Sequence, residues 1–581
     1  MSKKMDLYEK VVDLARRRGF FWQSYEIYGG VAGFVDLGPL GSLLKRNIES
    51  LWREWFILKH QDLIVEIETP VITPKRVFEA SGHLEHFTDP IVECKSCGRK
   101  FRADTLIEES LNRSVEGLSN EELSKLIKEN NIRCPMCKGE LGQVKTFNLL
   151  FTTTIGPYSE NIGFLRPETA QGMFTSFKRV YEAMRNKFPI GIAQIGRVAR
   201  NEISPRQGMI RLREFTIMEV EFFFNPKKPE CLLIDRVIDR KIMILPGEMK
   251  VKGEKKPIKV TIEEALHEKY IINEWLAYFM VQAYDFVHEL GISYDKQYFE
   301  EKLPHERAHY ASQTFDQMVK VERWGWVEVS GHAYRTDYDL SRHMKYSGQD
   351  LTVFIPYEKP IVRKRMKTII NENKIRNALK ENAMKIISLI KQLPHETVAN
   401  ELKTKGYIEI EGIKIGKEFI SITEVEEKIS GEKITPHVVE PSFGAERLVY
   451  VTLENAYSEK EGRVVLKLPR KIAPIKVAVF PLVVKGKLPE IAKDIYEKLK
   501  NMNLIVYYDE SGSIGRRYAR ADEIGVPIAI TVDYQTVEDN TVTLRDRDTW
   551  KQVRSPIDEV YKKLPLYLNG EIEFFELGHP V

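Results

Sequence analysis

Alternating apolar and polar residues between positions 188 and 224 predict two β-strands joined by a loop, which is the pattern of a β-hairpin. Because side chains two residues apart share one face of a strand, Arg200 and Glu202 are expected on one face of the first strand. The second strand is expected to carry Arg213, Phe215, Glu219 and Glu221 on one face. Burying such charges costs several kcal/mol each unless they are paired. The hairpin is therefore either an ion-paired surface open to water or a site for a ligand with phosphate, a flat ring and an ammonium group.

Apolar residues at helical spacing predict a long helix from Pro39 to Leu58, and residues 62–74 have the pattern of a strand ended by prolines. An amphipathic helix is predicted near residues 272–290. Residues 361–436 are expected to begin as a lysine-rich helix, whose basic side chains fit either RNA phosphates or a solvated face. From residue 473 onward strands and helices alternate, which predicts a separate mixed domain with a parallel sheet.

The composition is typical of a globular protein, with 43% hydrophobic and 30% charged residues among 581. A length of this size suggests about four domains. The net charge of +4 neither requires nor excludes nucleic acid, so any basic binding surface must be local. The start, Met1-Ser2-Lys3-Lys4, is not followed by the apolar segment of a signal peptide, and no stretch approaches 18 apolar residues. A cytoplasmic location is expected.

Two pairs of cysteines have a metal-binding pattern. Cys94 and Cys97 form one C-x-x-C pair, and Cys134 and Cys137 form a second. Four thiolates are the tetrahedral ligand set of a structural zinc ion, with no position left open for catalysis. The 36 residues between the pairs exceed the usual spacing, but a longer loop adds little closure entropy. A redox-active dithiol is the alternative.

Three segments resemble the signature motifs of the class II aminoacyl-tRNA synthetases. Residues 39–74, a helix feeding a strand and prolines, resemble motif 1, which forms the dimer interface in that family. Residues 200–215 resemble motif 2, and residues 438–447, a strand that turns through glycine into a helix, resemble motif 3. Their order along the chain is that of the family. The resemblance implies an α+β fold with an antiparallel-sheet catalytic domain.

The resemblance also implies how ATP is held. Arg200 would grip the α-phosphate, Glu202 would accept a hydrogen bond from the adenine amino group, and Phe215 would stack on adenine. Arg447 would lie against the nucleotide, and Glu328 would assist through Mg²⁺. The implied ATP-binding set is Arg200, Asn201, Glu202, Arg211, Leu212, Phe215, Glu328, Val329 and Arg447, with Arg200, Glu202 and Arg447 as catalytic residues.

Other segments resemble the glycyl-tRNA synthetases of archaea and eukaryotes. Glu168, in the stretch Arg-Pro-Glu-Thr, would bind the amino group of glycine, and Glu440 and Ser442 would contact it from the stretch Glu-Pro-Ser. The implied glycine-binding set is Arg102, Glu168, Glu219, Arg335, Glu440, Pro441 and Ser442. Since glycine has no side chain to grip, carboxylates that draw its ammonium deep into a pocket would exclude larger amino acids.

The resemblance covers nearly the full chain. It implies catalytic segments at 1–90, 145–226, 325–350 and 437–470, a zinc-binding insertion at 91–144, further insertions at 227–324 and 351–436, and an anticodon-binding domain at 471–581. Clustered arginines beside Tyr518 in the last domain suit RNA phosphates and splayed bases. The predicted protein ligates glycine to tRNA(Gly) with ATP, as a homodimer with Mg²⁺ and structural Zn²⁺. The alternatives are a catalytically silent synthetase-like protein that binds nucleic acid, and a zinc-dependent RNA-binding protein with a vestigial ATP site.

Overall fold

The computed structural model describes residues 5–113, 115, 117–158, 160–205 and 207–581, so the basic start at residues 1–4 lies outside the described residues. The chain forms two compact units, one comprising Met1–Leu351 with Pro436–Val581 and the other Thr352–Thr435. Among the helices described, none combines the length and the apolar character that a membrane crossing requires.

A nine-stranded, mostly antiparallel sheet forms the centre of the first unit. In spatial order its strands are Ile258–Thr261, Lys241–Leu245, Gln297–Glu301, Gln313–Val321, Gly325–Thr336, His437–Gly444, Glu214–Phe224, Ile190–Ala199 and Ile64–Glu66. The second and third of these pair in parallel, as do the last two. Strands from distant parts of the chain thus lie side by side at the middle of the sheet.

Residues 227–324, which the sequence analysis expects to be an insertion, contribute to this central sheet. They supply four of its nine strands. The helix predicted near residues 272–290 is present as Glu274–Glu289, but it is buried nearly all round rather than amphipathic. It packs between the sheet and the helix Pro39–Phe56, where the rings of Phe286 and Phe56 lie 6.0 Å apart.

The predicted hairpin consists of Ile190–Ala199 and Glu214–Phe224, paired antiparallel along their whole length. Met218, Val220 and Phe222 point into the core beneath the sheet, so the odd-numbered side chains of this strand face the opposite side. The prediction that Arg200 and Glu202 lie on the first strand is wrong. The strand ends at Ala199, and the N–H of the following Asn201 donates to Leu149 O at 2.7 Å, away from the ladder.

Three helices cover the core face of the sheet: Pro39–Phe56, Glu274–Glu289 and Ala445–Ala456. The first of these confirms the predicted long helix. The strand predicted over residues 62–74 divides into Ile64–Glu66 and Ile72–Pro74, which join different sheets. Pro70 lies between them, and a proline has no N–H with which to continue a ladder.

A small lobe between residues 88 and 148 carries the paired cysteines. It contains a three-stranded sheet of Thr88–Glu93, Lys100–Arg102 and Lys145–Asn148, and the helices Ala103–Leu111 and Asn120–Glu129. Ser119 and Glu122 form a capping box at the start of the second helix. The lobe has an apolar core of its own, which includes Val92, Ile107 and Leu123.

The second unit is built on a two-stranded ribbon of Val353–Ile370 and Ile420–Ile434. Three helices and a hairpin follow its first strand: Glu372–Leu379, Ala383–Gln392, His395–Thr404, and Tyr407–Ile410 with Ile413–Gly416. The predicted lysine-rich helix is therefore wrong, because its basic residues lie on the ribbon. Lys364 and Arg365 pair across the strands with Glu424 and Glu427 at 3.1 and 3.3 Å, which stabilises the extended form.

The alternating elements predicted after residue 473 are confirmed: Val477–Pro481, Leu488–Asn501, Val506–Tyr508, Ile514–Glu523 and Ile528–Val532. Their three strands are parallel, and the antiparallel strands Thr541–Asp546, Gln552–Pro556 and His579–Pro580 extend the sheet to six. Much of the arginine cluster is paired within the domain. Arg520 donates to Asp509 at 2.8 Å and Arg545 to Asp522 at 2.9 Å, whereas Arg516 is exposed.

Candidate active site

An open pocket lies on the face of the central sheet that the three core helices leave uncovered, and its empty space, with the open mouth included, is about 1020 Å³. Its floor is built by neighbouring strands in register, with Glu219 opposite Ser442, and Ser442 opposite Gly331. One end of the pocket is rich in carboxylates and the other in arginines and apolar rings. A single ligand that spans the pocket would therefore meet acidic groups at one end and basic groups at the other.

Three buried carboxylates converge at the acidic end, where Glu168, Glu219 and Glu440 are each less than 7% exposed. Glu219 accepts hydrogen bonds from Ser442 Oγ at 2.7 Å and from the Thr169 N–H at 2.9 Å, and also from the Thr169 hydroxyl. Glu168 accepts from Gln171 Nε2 at 2.9 Å. Carboxylates that are oriented by neutral donors keep their negative charge available for a cation.

Arg335 lies behind these carboxylates and is completely buried. Its guanidinium donates to Glu440 at 2.7 Å and to both oxygens of Asp339 at 2.8 and 3.1 Å, and Glu168 lies 3.6 Å away. The ring of Tyr310 covers its face, with the ring centroid 3.7 Å from Cζ. The resemblance placed Arg335 among the glycine-binding residues. In the structure its guanidinium contacts Glu440 and Glu168 and so holds two of the site's carboxylates in place.

The electrostatics of the acidic end favour a bound ammonium group. Burial raises the pKa of Glu440 to about 7, with Arg335 opposing the shift. Burial and the charge of Glu168 also raise the pKa of Glu219. Burial opposes the ionisation of Glu168, but His83 and Arg335 outweigh it and lower its pKa overall. A cation placed among these groups would favour ionisation of all three carboxyls.

The basic end brings together most of the residues predicted to bind ATP. Arg200 lies over the ring of Phe215, with Cζ 5.3 Å from the centroid. Arg447 donates to Ile210 O at 2.7 Å and lies 3.2 Å from the Glu328 carboxylate. Desolvation opposes the ionisation of Glu328, but the charges of Arg447, Lys302 and Arg200 outweigh it and lower its pKa. Glu202, Arg211, Leu212 and Val329 also line the pocket.

Four predicted site residues do not line this pocket: Arg335, which lies behind the carboxylates, and Asn201, Arg102 and Pro441. Asn201 is turned toward Leu149 by the backbone hydrogen bond described above. Arg102 lies in the cysteine lobe, where it pairs with Asp104 at 2.8 Å and Asp89 at 3.2 Å. Pro441 is buried beneath the floor, because Glu440 and Ser442 on either side of it point into the pocket.

Sequence reasoning missed several side chains around the site. Gln171, in the first turn of the helix Ala170–Ala183, donates to Glu168 and Asp339, both at 2.9 Å, and its place just after the stretch Arg-Pro-Glu-Thr could have indicated it. Asp316 lines the pocket and pairs with Lys302 at 2.8 Å, and Tyr310 closes its acidic end. The last two come from the segment expected to be an insertion, where no local pattern pointed to a site.

The four paired cysteines meet in the small lobe. All four Sγ atoms lie within 4.8 Å of one another, with Cys94 and Cys137 at 3.5 Å and Cys97 and Cys134 at 3.8 Å. Zinc–sulfur bonds of about 2.3 Å in a tetrahedron require separations of about 3.8 Å. The cluster therefore fits a tetrahedral metal ion. None of its four cysteines is among the residues that line the pocket.

Comparison with known proteins identifies the family. A family model described as "Anticodon binding domain" matches residues 476–565. The curated glycine–tRNA ligase of Aeropyrum pernix is 58% identical over 579 residues, which is 99% of both chains. That of Pyrococcus furiosus is 53% identical, over 98% of this chain and 100% of its own. That of Methanocaldococcus jannaschii is 48% identical, over 96% of this chain and 98% of its own.

The chain belongs to the glycine–tRNA ligase family.

Solved structures agree with the fold of this glycine–tRNA ligase family member. Prolyl-tRNA synthetase from Cryptosporidium parvum, solved with L-proline and AMP, aligns with a TM-score of 0.51 at 13% identity, over 97% of this chain and 76% of its own. The same synthetase solved with halofuginone and AMPPNP gives a TM-score of 0.52 at 14% identity, with the same coverage. The predicted family and the class II synthetase fold are therefore confirmed.

Proposed function

We propose that this member of the glycine–tRNA ligase family activates glycine with ATP in the pocket described above and transfers the glycyl group to tRNA(Gly). The observation that carries the assignment to this pocket is the convergence of Glu168, Glu219 and Glu440 next to Arg200, Phe215 and Arg447. The acidic end suits the glycine ammonium, and the basic end suits a nucleotide.

In the first step a glycine carboxylate oxygen attacks the α-phosphorus of ATP, and the bond from that phosphorus to the leaving pyrophosphate breaks. The carboxylate is ionised at pH 7, so no general base is needed, and catalysis consists of orientation and charge stabilisation. Arg200 and Arg447 bind the phosphates, and Phe215 and Glu202 hold adenine. Glu202 is already held by Arg211 at 2.7 Å. Mg²⁺, when bound, would be held by Glu328 and would offset phosphate charge.

In the second step a hydroxyl of the 3′-terminal ribose of tRNA attacks the carbonyl carbon of glycyl-adenylate. The new ester bond forms as the bond from that carbon to the phosphate oxygen breaks, AMP leaves, and the hydroxyl proton passes to the AMP phosphate or to water. The domain that matches the anticodon-binding model supports tRNA as the acceptor. The fit of the four-cysteine cluster supports zinc as a structural ion in the small lobe, because four thiolates leave no open coordination position.

Amino-acid-dependent ATP–pyrophosphate exchange tests this function directly. We expect exchange with glycine and not with alanine, serine or proline. Exchange with another amino acid would keep the activation chemistry but overturn the assignment of the acidic end to glycine. Exchange with none of them would favour a catalytically silent, nucleic-acid-binding relative.

We also propose that the protein is a homodimer that acts in the cytoplasm, where its proposed substrates are found. Large apolar side chains just before the helix Pro39–Phe56 support a second copy at this place, because Ile27 is 87% and Tyr28 84% exposed. Sedimentation equilibrium would test the assembly, and a concentration-independent monomer mass would contradict it.

A further inference from the structure

We propose that Tyr310 forms the wall of the amino-acid pocket that keeps out substrates with a side chain on the α-carbon. This inference rests on the glycine-binding role proposed above for the three carboxylates. It assigns the exclusion of larger amino acids to a particular ring rather than to the depth of the pocket alone.

Tyr310 has a defined place because the loop that carries it is fixed on both sides. The loop joins the strands Gln297–Glu301 and Gln313–Val321. The Lys302 N–H donates to Thr314 O and the Ser312 N–H to Tyr334 O, both at 2.9 Å. On the other side of Tyr310, the His309 Nε2 lies 3.0 Å from the carbonyl oxygen of Ser81.

The ring itself is anchored on a cation. It covers Arg335 at 3.7 Å, while Phe174 lies 5.0 Å from the same guanidinium carbon. The edges of this guanidinium are occupied by carboxylates, so a ring on its face is the remaining favourable contact. Burial raises the pKa of the Tyr310 hydroxyl well above its usual value, and Glu168 and Glu440 add to the shift. The wall is therefore neutral and lies close to two of the three carboxylates.

The floor below the ring offers little bulk. Gly331 lies opposite Ser442, and Ala333 lies opposite Glu440. A Cβ added to Gly331 would meet no atom within 4 Å, so the space in front of the floor is open. The larger apolar side chains Phe215 and Ile217 precede Glu219 on their strand, toward the basic end, whereas Tyr310 lies near Glu168 and Glu440 at the acidic end.

A substrate bound in this pocket has little freedom to avoid the ring. The carboxylates fix its ammonium, and the α-phosphate of ATP fixes its carboxylate, so the orientation of the α-carbon between them is set. Glycine presents only hydrogens there. A methyl or hydroxymethyl group has to fit between the floor and Tyr310, and a rigid ring anchored on Arg335 does not yield as a flexible side chain would.

The test is ATP–pyrophosphate exchange with glycine, alanine and serine for the unmodified protein and for Tyr310→Phe, Tyr310→Leu and Tyr310→Ala. A pocket discriminates one methyl group by about 10–200-fold. We expect Tyr310→Ala to raise the alanine-to-glycine ratio of kcat/KM by about tenfold or more. Tyr310→Phe should leave the ratio unchanged, and Tyr310→Leu should lie between. Tyr158→Ala, at a 63% exposed tyrosine, is the matched control.

Two results would overturn the wall assignment. One is an unchanged alanine-to-glycine ratio in Tyr310→Ala while exchange with glycine persists. The other is loss of exchange with every amino acid in folded Tyr310→Ala and Tyr310→Leu, since the ring would then be required for catalysis itself. Both differ from failure of the proposed function, in which the unmodified protein would not show exchange with glycine.

Discussion

Ser442 Oγ donates to Glu219 Oε1 at 2.7 Å from the residue directly opposite on the neighbouring strand. The second carboxylate oxygen of Glu219 is held by the N–H and hydroxyl of Thr169. Because both oxygens are held by neutral donors on rigid elements, the carboxylate is oriented before a ligand arrives. Such pre-organisation lowers the cost of placing a small substrate that offers few contacts of its own.

Replacement of this carboxylate should weaken glycine binding selectively. We expect Glu219→Gln to raise the KM for glycine by about 10- to 100-fold, because hydrogen bonds to a charged group contribute about 1.5–3 kcal/mol. The KM for ATP should change little. Glu214→Gln, an exposed position on the same strand, is the control. Equal increases in both KM values would remove Glu219 from the ammonium site.

Arg447 should be sensitive even to a conservative change. It uses Nε for Ile210 O and Nη1 for the carbonyl of Glu328, so its position depends on the fork of the guanidinium. We expect Arg447→Lys to lower kcat for exchange by about tenfold or more, since one lysine ammonium cannot replace both contacts. Arg179→Lys, at a side chain 90% exposed, should have no effect. Full activity in Arg447→Lys would mean that only the positive charge matters.

Glycine activation should improve as the pH rises through neutrality. Burial raises the pKa of Glu440 to about 7, and the ammonium requires the ionised form. We therefore expect kcat/KM for glycine to rise between about pH 6 and 8, by up to about tenfold per pH unit below the pKa. Glu440→Gln should lose this slope along with much of its activity. A flat profile in the unmodified protein would contradict the prediction.

The same carboxyl should affect the stability of the ligand-free protein in the opposite direction. Its pKa in the folded state lies above the ordinary value of 4.5, so the folded state binds more protons between these values. The contribution of Glu440 to the free energy of unfolding is therefore present at low pH and is lost as the pH rises from about 4.5 to 7. Urea unfolding of the unmodified protein and Glu440→Gln across this range would measure the difference.

Metal removal should loosen the small lobe before it affects the sheet. We expect about one zinc ion per chain by mass spectrometry of the metal content, and loss of that ion in Cys97→Ser. Amide hydrogen exchange should then accelerate within residues 88–148, because the lobe has only a small core of its own. Cys231→Ser, at a buried cysteine outside the cluster, should keep the ion. Unchanged metal content in Cys97→Ser would exclude the four-thiolate site.

Local pattern was enough to predict the hairpin, the long helix and the alternating carboxyl-terminal elements, because each has a clear period in its own residues. It did not indicate that the four strands within residues 227–324 continue the central sheet, which they join through the pairing of Gln313–Val321 with Gly325–Thr336. It also failed for the basic residues around Lys364, where partners across a ribbon outweigh helical spacing. The cysteine pattern required four ligands to meet, and the structure brings them together.

Prediction of the candidate site also succeeded for some residues and failed for others. Resemblance pointed to Glu168, Glu219 and Arg447, which lie in short distinctive stretches, and the structure brings them into one pocket. Neither pattern nor resemblance indicated that the ring of Tyr310 would cover Arg335 or that three carboxylates would pair with its guanidinium. That arrangement depends on residues separated by more than 100 positions, so only the fold reveals it.

The ribbon of the second unit has a consequence for how the active-site sheet assembles. Thr336 and His437 end neighbouring strands but are separated by about 100 residues of chain, a loop whose closure is entropically unfavourable. Pairing of Val353 with Ile434 brings the two ends of this intervening segment together. The effective loop then shrinks to about 20 residues, which reduces the closure cost by about 1.4 kcal/mol. If the ribbon forms early, the strand that carries Glu440 and Ser442 should join the sheet faster. The second unit would then assist folding of the catalytic sheet although it lies outside that sheet.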